Sequence, residues 1–156
     1  MMRAEITGEQ RVRAALERFP AELISALQRG VGRALLLIQT RTKESKLSGQ
    51  VLNVRTGRLR RSIATRMDPV TGDGKVSGVV GTKVVYAGAH EFGFHGTVSV
   101  REHLRRSKLG KPFYVSAHSR TMHLPERSFL RSSFRELQPQ IRDEIAKEVA
   151  NAVRAF

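Results

Sequence analysis

Two imidazoles and a carboxylate close together are the raw material of a zinc hydrolase, and His90, Glu91 and His95 are the residues here that come nearest to it. In the His-Glu-x-x-His pattern both histidines stand one helical turn apart on one face and the glutamate serves as base. In this chain the second histidine comes one residue too late, and Gly93 falls inside the turn that would present both rings. His103, His118 and His123 are spread along a segment that would have to fold back on itself to bring them together. Thr71-Gly-Asp-Gly-Lys75 lacks the spacing of a phosphate-cradling loop. With no cysteine there is neither a thiolate nucleophile nor a disulfide, and the 14 Asp and Glu include no evident general acid–base pair. The expectation is a protein that is not an enzyme, with no catalytic residues, no metal and no cofactor.

Charge points elsewhere. The 156 residues carry a formal net charge of +14, unevenly distributed. Residues 1–62 hold 13 Lys/Arg against 5 Asp/Glu, residues 63–96 hold 3 against 3, and residues 97–124 hold 6 against 1. A neutral middle flanked by basic stretches suits nucleic acid or an acidic protein surface. Aromatic residues are only 6%, with Phe113 and Tyr114 the sole pair inside a basic stretch, so a base-stacking platform is not expected. No apolar run reaches membrane-spanning length, and the N-terminus lacks the apolar core of a signal peptide, which predicts a product that stays in the cytosol where it is made.

The elements that would position these residues follow from periodicity. Val76–Gly93 stands out as the expected centre of a sheet, with a β-branched strand first and then, from Tyr86 to Phe92, a short helical turn or a tight loop stopped by Gly93. Before it, Glu9–Phe19 is helix-compatible with Val12, Ala15, Leu16 and Phe19 on one side, and Pro20 is expected to break that helix or open the next. Leu23, Ile24, Leu27, Val31, Ala34, Leu35 and Ile38 then predict a helix from about Pro20 to Ser45, with Gly30 and Gly32 marking either close packing or a kink between two shorter helices. Thr56 is the expected N-cap of a short helix over Gly57–Ser62, with Leu59 and Ile63 inward and Arg58, Arg60 and Arg61 outward. Residues 63–67 and 75–81 read as a hairpin around the turn chemistry of 69–74, with Val84–Tyr86 extending or following its second strand.

Beyond Gly96, Val100-Arg-Glu-His-Leu-Arg105 and Val115-Ser-Ala-His-Ser-Arg120 share the pattern Val-x-x-His-x-Arg around a Gly/Pro turn. That predicts a two-stranded ribbon with His103, Arg105, His118 and Arg120 on polar faces. Pro125 is expected at a helix entry, with Phe129, Leu130, Phe134 and Leu137 on its apolar side, and Pro139 is expected to open a last helix carrying Ile141, Ile145, Val149, Val153 and Phe156. The fold class is α+β: long helices on one face of a small antiparallel sheet, in a single domain over 1–156, with residues 97–123 as a projecting basic hairpin arm.

Four separated pieces also occur in the order of one family pattern: Thr56-Gly-Arg-Leu-Arg-Arg-Ser-Ile63, Val80-Gly-Thr82, Tyr86-Ala-Gly-Ala-His-Glu-Phe-Gly93 and Leu124-Pro-Glu-Arg-Ser-Phe-Leu130. Across residues 20–137 the chain resembles the virion-morphogenesis and tail-completion proteins of tailed bacteriophages, a group that includes head–tail joining and minor tail proteins. The resemblance implies a structural virion subunit of the tail or neck, assembled in the bacterial cytoplasm as a ring, commonly a hexamer, beside other neck or tail proteins and with DNA passing its lumen. The basic segment 97–123 is an insertion relative to shorter relatives. On this reading Tyr86, His90, Glu91 and Phe92 organise the fold, with Arg127 as the expected ion-pair partner of Glu91. Arg101, Arg105, Lys108, Lys111 and Arg120 are the expected interface residues, and a neighbour's helix bearing Glu136, Asp143, Glu144 and Glu148 is the acidic surface they would grip. The alternative from another class is a non-specific double-stranded DNA-binding protein using the same cations.

Overall fold

A computed structural model describes the backbone of residues 9–155, and the side chains of residue 17 and residues 19–155. Helix α1, Glu9–Arg41, runs into a π-helical turn, Thr42–Lys46, and is followed by the short helix α2, Arg58–Ser62. Strands β1, Ala64–Met67, and β2, Gly78–Gly81, come next, then helix α3, Ala87–Phe92. Strands β3, Phe94–Val100, β4, His103–Arg106, β5, Pro112–Val115, and β6, His118–Leu124, precede the final helix α4, Leu130–Ala155. The architecture is α+β, with the long helix α1 packed against α4 and against β1 and β2. Two compact units are present, one of the described residues up to Lys83 and from Phe129 onward, the other of Val84–Ser128. Among the described residues no helix is long and apolar enough to cross a membrane.

Of the expected apolar face of α1, Ala34, Leu35 and Ile38 are buried while Leu23, Ile24, Leu27 and Val31 are half-buried, and Ala26, outside the expected set, is fully buried. With Leu47, Leu52, Ile63, Phe129, Leu137 and Ala152, the buried residues of α1 make the core of the helical unit. At Gly30 the two helices come close, since a Cβ there would lie 3.0 Å from the Cα of Ile145. Any side chain at that position would push α4 away. Gly32 meets nothing within 4 Å, so only one of the two mid-helix glycines serves packing. The expected face of Val12, Ala15 and Leu16 lies outside the described side chains, and Phe156, expected on the last helix, lies outside the described residues.

Both prolines expected to bound helices lie inside them. Pro20 sits within the 33-residue α1 and Pro139 within the 26-residue α4. Each proline is exposed, so its ring lies on the solvated side of its helix. Pro125 is not a helix entry either; it follows β6, five residues before α4 begins. The N-cap of α2 is Gly57, in the left-handed region, and not Thr56, whose hydroxyl accepts only a long 3.4 Å bond from the Arg58 amide.

Ion pairs bind the two long helices. Arg29 Nε lies 3.0 Å from Glu148 Oε2, Arg33 reaches both Glu144 and Glu148, and Arg41 lies 3.0 Å from Glu136, which Lys46 of the π-turn also contacts. Successive cations on α1 thus meet successive acids on α4 in antiparallel order. Glu148 is buried at 5% exposure, so its two arginines are what make a carboxylate tolerable there.

Strands β1 and β2 pair antiparallel from Ala64↔Gly81 to Met67↔Gly78, the expected hairpin. Gln39 Nε2 donates to the Ile63 carbonyl at 2.8 Å, fixing the start of this hairpin to α1. The expected single sheet centred on 76–93 does not form; the strands fall into three separate two-stranded pieces, β1–β2, β3–β6 and β4–β5. Val84–Tyr86 follows β2 as the turn into α3 and does not extend it, and Val85 is 98% exposed. Two-stranded pieces need an outside apolar face to rest on, and for β1–β2 that face is α1.

Candidate functional site

The unit Val84–Ser128 holds nearly every residue singled out in the sequence. Helix α3 forms one short turn and a half, with the Ala87 amide donating to the Val84 carbonyl at 3.0 Å. Tyr86 and His90 stand edge to face, ring centroids 6.0 Å apart. Gly93 ends the helix at φ 78°, and a Cβ there would lie 3.0 Å from the Glu126 amide nitrogen and 3.1 Å from the Leu124 carbonyl oxygen. Only glycine lets the outgoing and returning chain pass this closely.

Of the four expected organising residues, Glu91 is buried at 5% exposure, while Tyr86 is 42% and Phe92 64% exposed. Glu91 accepts a 3.0 Å hydrogen bond from Ser128 Oγ. Arg127, expected to pair with Glu91, makes no ion pair with a described carboxylate; its backbone amide donates instead to the His90 carbonyl at 2.8 Å. Main-chain registration at Arg127 and the Ser128–Glu91 hydrogen bond both tie this loop to α3.

The ribbon follows. Strands β3 and β6 pair antiparallel from Phe94↔Leu124 to Val100↔His118, and β4 and β5 from His103↔Val115 to Arg106↔Pro112. The ladder is interrupted at 101–102 and 116–117, and the repeated Val-x-x-His explains how. Val100 pairs with His118 and Val115 with His103, so the two copies of the repeat cross over each other. His103 Nδ1 lies 3.0 Å from the Arg101 carbonyl and His118 Nδ1 2.9 Å from the Ser116 carbonyl. A carbonyl only accepts, so in both rings Nδ1 carries the hydrogen. At the tip the Ser107 amide donates to the Lys111 carbonyl, and Gly110, at φ 78°, closes the turn.

Alternation along β3 and β6 sorts the side chains into two faces. His95, Thr97, Ser99, Ser119, Thr121 and His123 share one, and the rings of His95 and His123 stand 5.3 Å apart. Phe94, Val98, Val100, Met122 and Leu124 share the other with His118 and Arg120. His118 and Arg120 therefore belong to the more apolar face, contrary to the expectation of a purely polar setting. His90 and Glu91 lie on α3 while His95 lies on β3, so no helix presents the two histidines together. Among the described residues no group of three or more metal-ligating side chains occurs.

All five expected interface residues are exposed. Arg101 sits in the ladder interruption, Arg105 on β4 opposite Phe113, Lys108 and Lys111 at the tip, and Arg120 on β6 opposite Val98. Sequence reasoning missed Leu104 and Leu109, 73% and 88% exposed among them, and weighed Tyr114 and Phe113, 62% and 45% exposed, only as a stacking platform. Their signal was present, because a two-stranded ribbon has no interior and must show whatever apolar residues it carries. The Tyr114 phenol donates a hydrogen bond to the Glu102 carboxylate, which holds it above its ordinary pKa of 10.0, with a smaller push from burial. The acids of α4 are in large part already occupied: Glu136, Glu144 and Glu148 pair with cations of α1 and the π-turn. The chain matches no protein-family model, no curated protein and no solved structure.

Proposed function

We propose that this protein is a structural virion subunit of a tailed phage, acting in tail completion or head–tail connection by assembling into a ring, sixfold as in the family it resembles. The observation that carries the reading is the ribbon, which leaves Leu104, Leu109, Phe113 and Tyr114 exposed on a cationic hairpin. A monomer gains nothing from apolar side chains held out in water, whereas a neighbour that covers them gains their burial. The contact is heterologous, one surface of a subunit meeting a different surface of the next, and such contacts generate rings when the rotation closes. Because Glu136, Glu144 and Glu148 are paired within their own chain, the ribbon's hold on a neighbour rests more on its apolar residues than on those acids. Other neck or tail proteins are the expected further partners, in the virion.

Four pieces of the resemblance become local structural devices, which supports the reading. Thr56–Ile63 forms the loop and helix α2, Val80–Thr82 ends β2, Tyr86–Gly93 forms α3 with its glycine stop, and Leu124–Leu130 joins β6 to α4. The test is the mass of the native assembly for the full chain and for a chain in which residues 98–120 are replaced by a short Gly-Ser turn. That cut keeps the Thr97↔Thr121 pair. A closed ring for the full chain and a monomer for the shortened one are expected. A monomeric full chain, or a shortened chain that still closes into rings, overturns the assignment of assembly to the ribbon.

A further inference from the structure

The cations around the end of α1 divide into two populations. Arg29, Arg33, Arg41 and Lys46 are neutralised by acids of α4. Lys43, Arg55, Arg60 and Arg61 instead line one open concavity of about 740 Å³, together with Val54, Thr56 and Gly57 and without any acid. None of the four forms an ion pair with a described carboxylate. The π-turn contributes to this division, since it carries both Lys43, at the concavity, and Lys46, on Glu136. Arg61 is held in place by a 3.1 Å hydrogen bond from Nη2 to the Thr56 carbonyl, which leaves its other donors available.

Four like charges around one hollow repel one another and attract an anion. Three of the four are guanidinium groups, whose planar forks match phosphate oxygens in bidentate pairs. Among the described residues of the lining Val54 is the only large apolar one, and none is aromatic. An acidic protein would want buried apolar anchors, a membrane would want a cluster of inserting residues, and base recognition would want stacking surfaces. Backbone phosphates need none of these. We propose that the concavity framed by Lys43, Arg55, Arg60 and Arg61 is a sequence-independent binding site for the phosphodiester backbone of nucleic acid. The site belongs to the helical unit, uses none of the ribbon's cations and does not depend on ring formation.

The experiment is fluorescence anisotropy of a labelled duplex of about 30 base pairs with the full chain, between about 50 and 200 mM salt. Wild type should bind with a steep inverse salt dependence. The triple variant Lys43→Gln, Arg55→Gln, Arg60→Gln should flatten the log–log salt slope by about 0.9 for each phosphate it no longer neutralises, roughly 2 to 3 in all, and weaken affinity at least about tenfold at the low end. A quadruple ribbon variant, Arg101→Gln, Arg105→Gln, Lys108→Gln, Lys111→Gln, should keep the wild-type slope. The single reversal Arg55→Glu, at an exposed loop position, should lower the slope by about one even if the triple variant folds poorly. The proposal is overturned if the duplex does not bind at the lowest salt, if Arg55→Glu leaves the slope unchanged, or if only the ribbon variant loses binding. It is equally overturned if polyglutamate displaces the duplex as well as unlabelled duplex does, because the hollow then recognises an acidic chain.

Discussion

Thr42 is fully buried at the first position of the π-turn, and its hydroxyl has no hydrogen-bond partner among the described residues. A buried hydroxyl without a partner costs free energy that a methyl group of similar shape does not. Thr42→Val should therefore stabilise the protein by about 1 kcal/mol, read as a higher denaturant midpoint at unchanged m-value. A loss of similar size would mean the hydroxyl is satisfied in solution. Glu91 is the opposite case, a buried carboxylate that accepts from Ser128 Oγ at 3.0 Å. Glu91→Gln weakens a charge-assisted bond at constant size and should cost about 1.5 to 3 kcal/mol. An unchanged midpoint would show that the charge at this position is immaterial.

Among the elements, the α1–α4 pair has a pH dependence that can be worked out from Glu136. The hydrogen bond from Lys46, then that from Arg41, holds this carboxyl below its ordinary value of 4.5. The folded state thus binds fewer protons than the unfolded state across the carboxylate range, so stability rises with pH there. The contribution is fully present above about pH 4.5 and disappears as pH falls through the lowered folded value. Melting temperature should decline on acidification through this window, and Glu136→Gln should decline less steeply. Identical pH profiles for the two proteins would show that Glu136 plays no part in the acid response. The exposed position of the pair keeps the effect small and sensitive to salt.

At the scale of the whole molecule, the division of labour is between a unit that owns the core and a unit that owns little of it. Among the described residues, every buried hydrophobic one except Ala87 lies in the helical unit. Replacing residues 98–120 by a Gly-Ser turn should accordingly leave a cooperative thermal transition within a few degrees of the full chain's, measured under conditions where both are monomeric. A shortened chain without a cooperative transition would show that the ribbon contributes to folding and not to assembly alone.

Much of the local structure was legible in the chain because it follows from short-range causes. The apolar period of α1, the turn chemistry of 69–74, the glycine stop after Phe92 and the duplicated Val-x-x-His around a Gly/Pro turn each predict an element that forms. Tertiary structure alone decided three things. Pro20 and Pro139 stay inside continuous helices with their rings on the exposed side, a matter of which side of the helix is covered. The centre is the α1–α4 pair and not the 76–93 stretch, because two long amphipathic helices bury more apolar surface against each other than a two-stranded sheet offers. And the fate of each cation, paired across α4 or left open at the hollow, depends on partners as distant as the 119 residues between Arg29 and Glu148. Periodicity is encoded residue by residue, but pairing is a property of which surfaces the folded chain brings together.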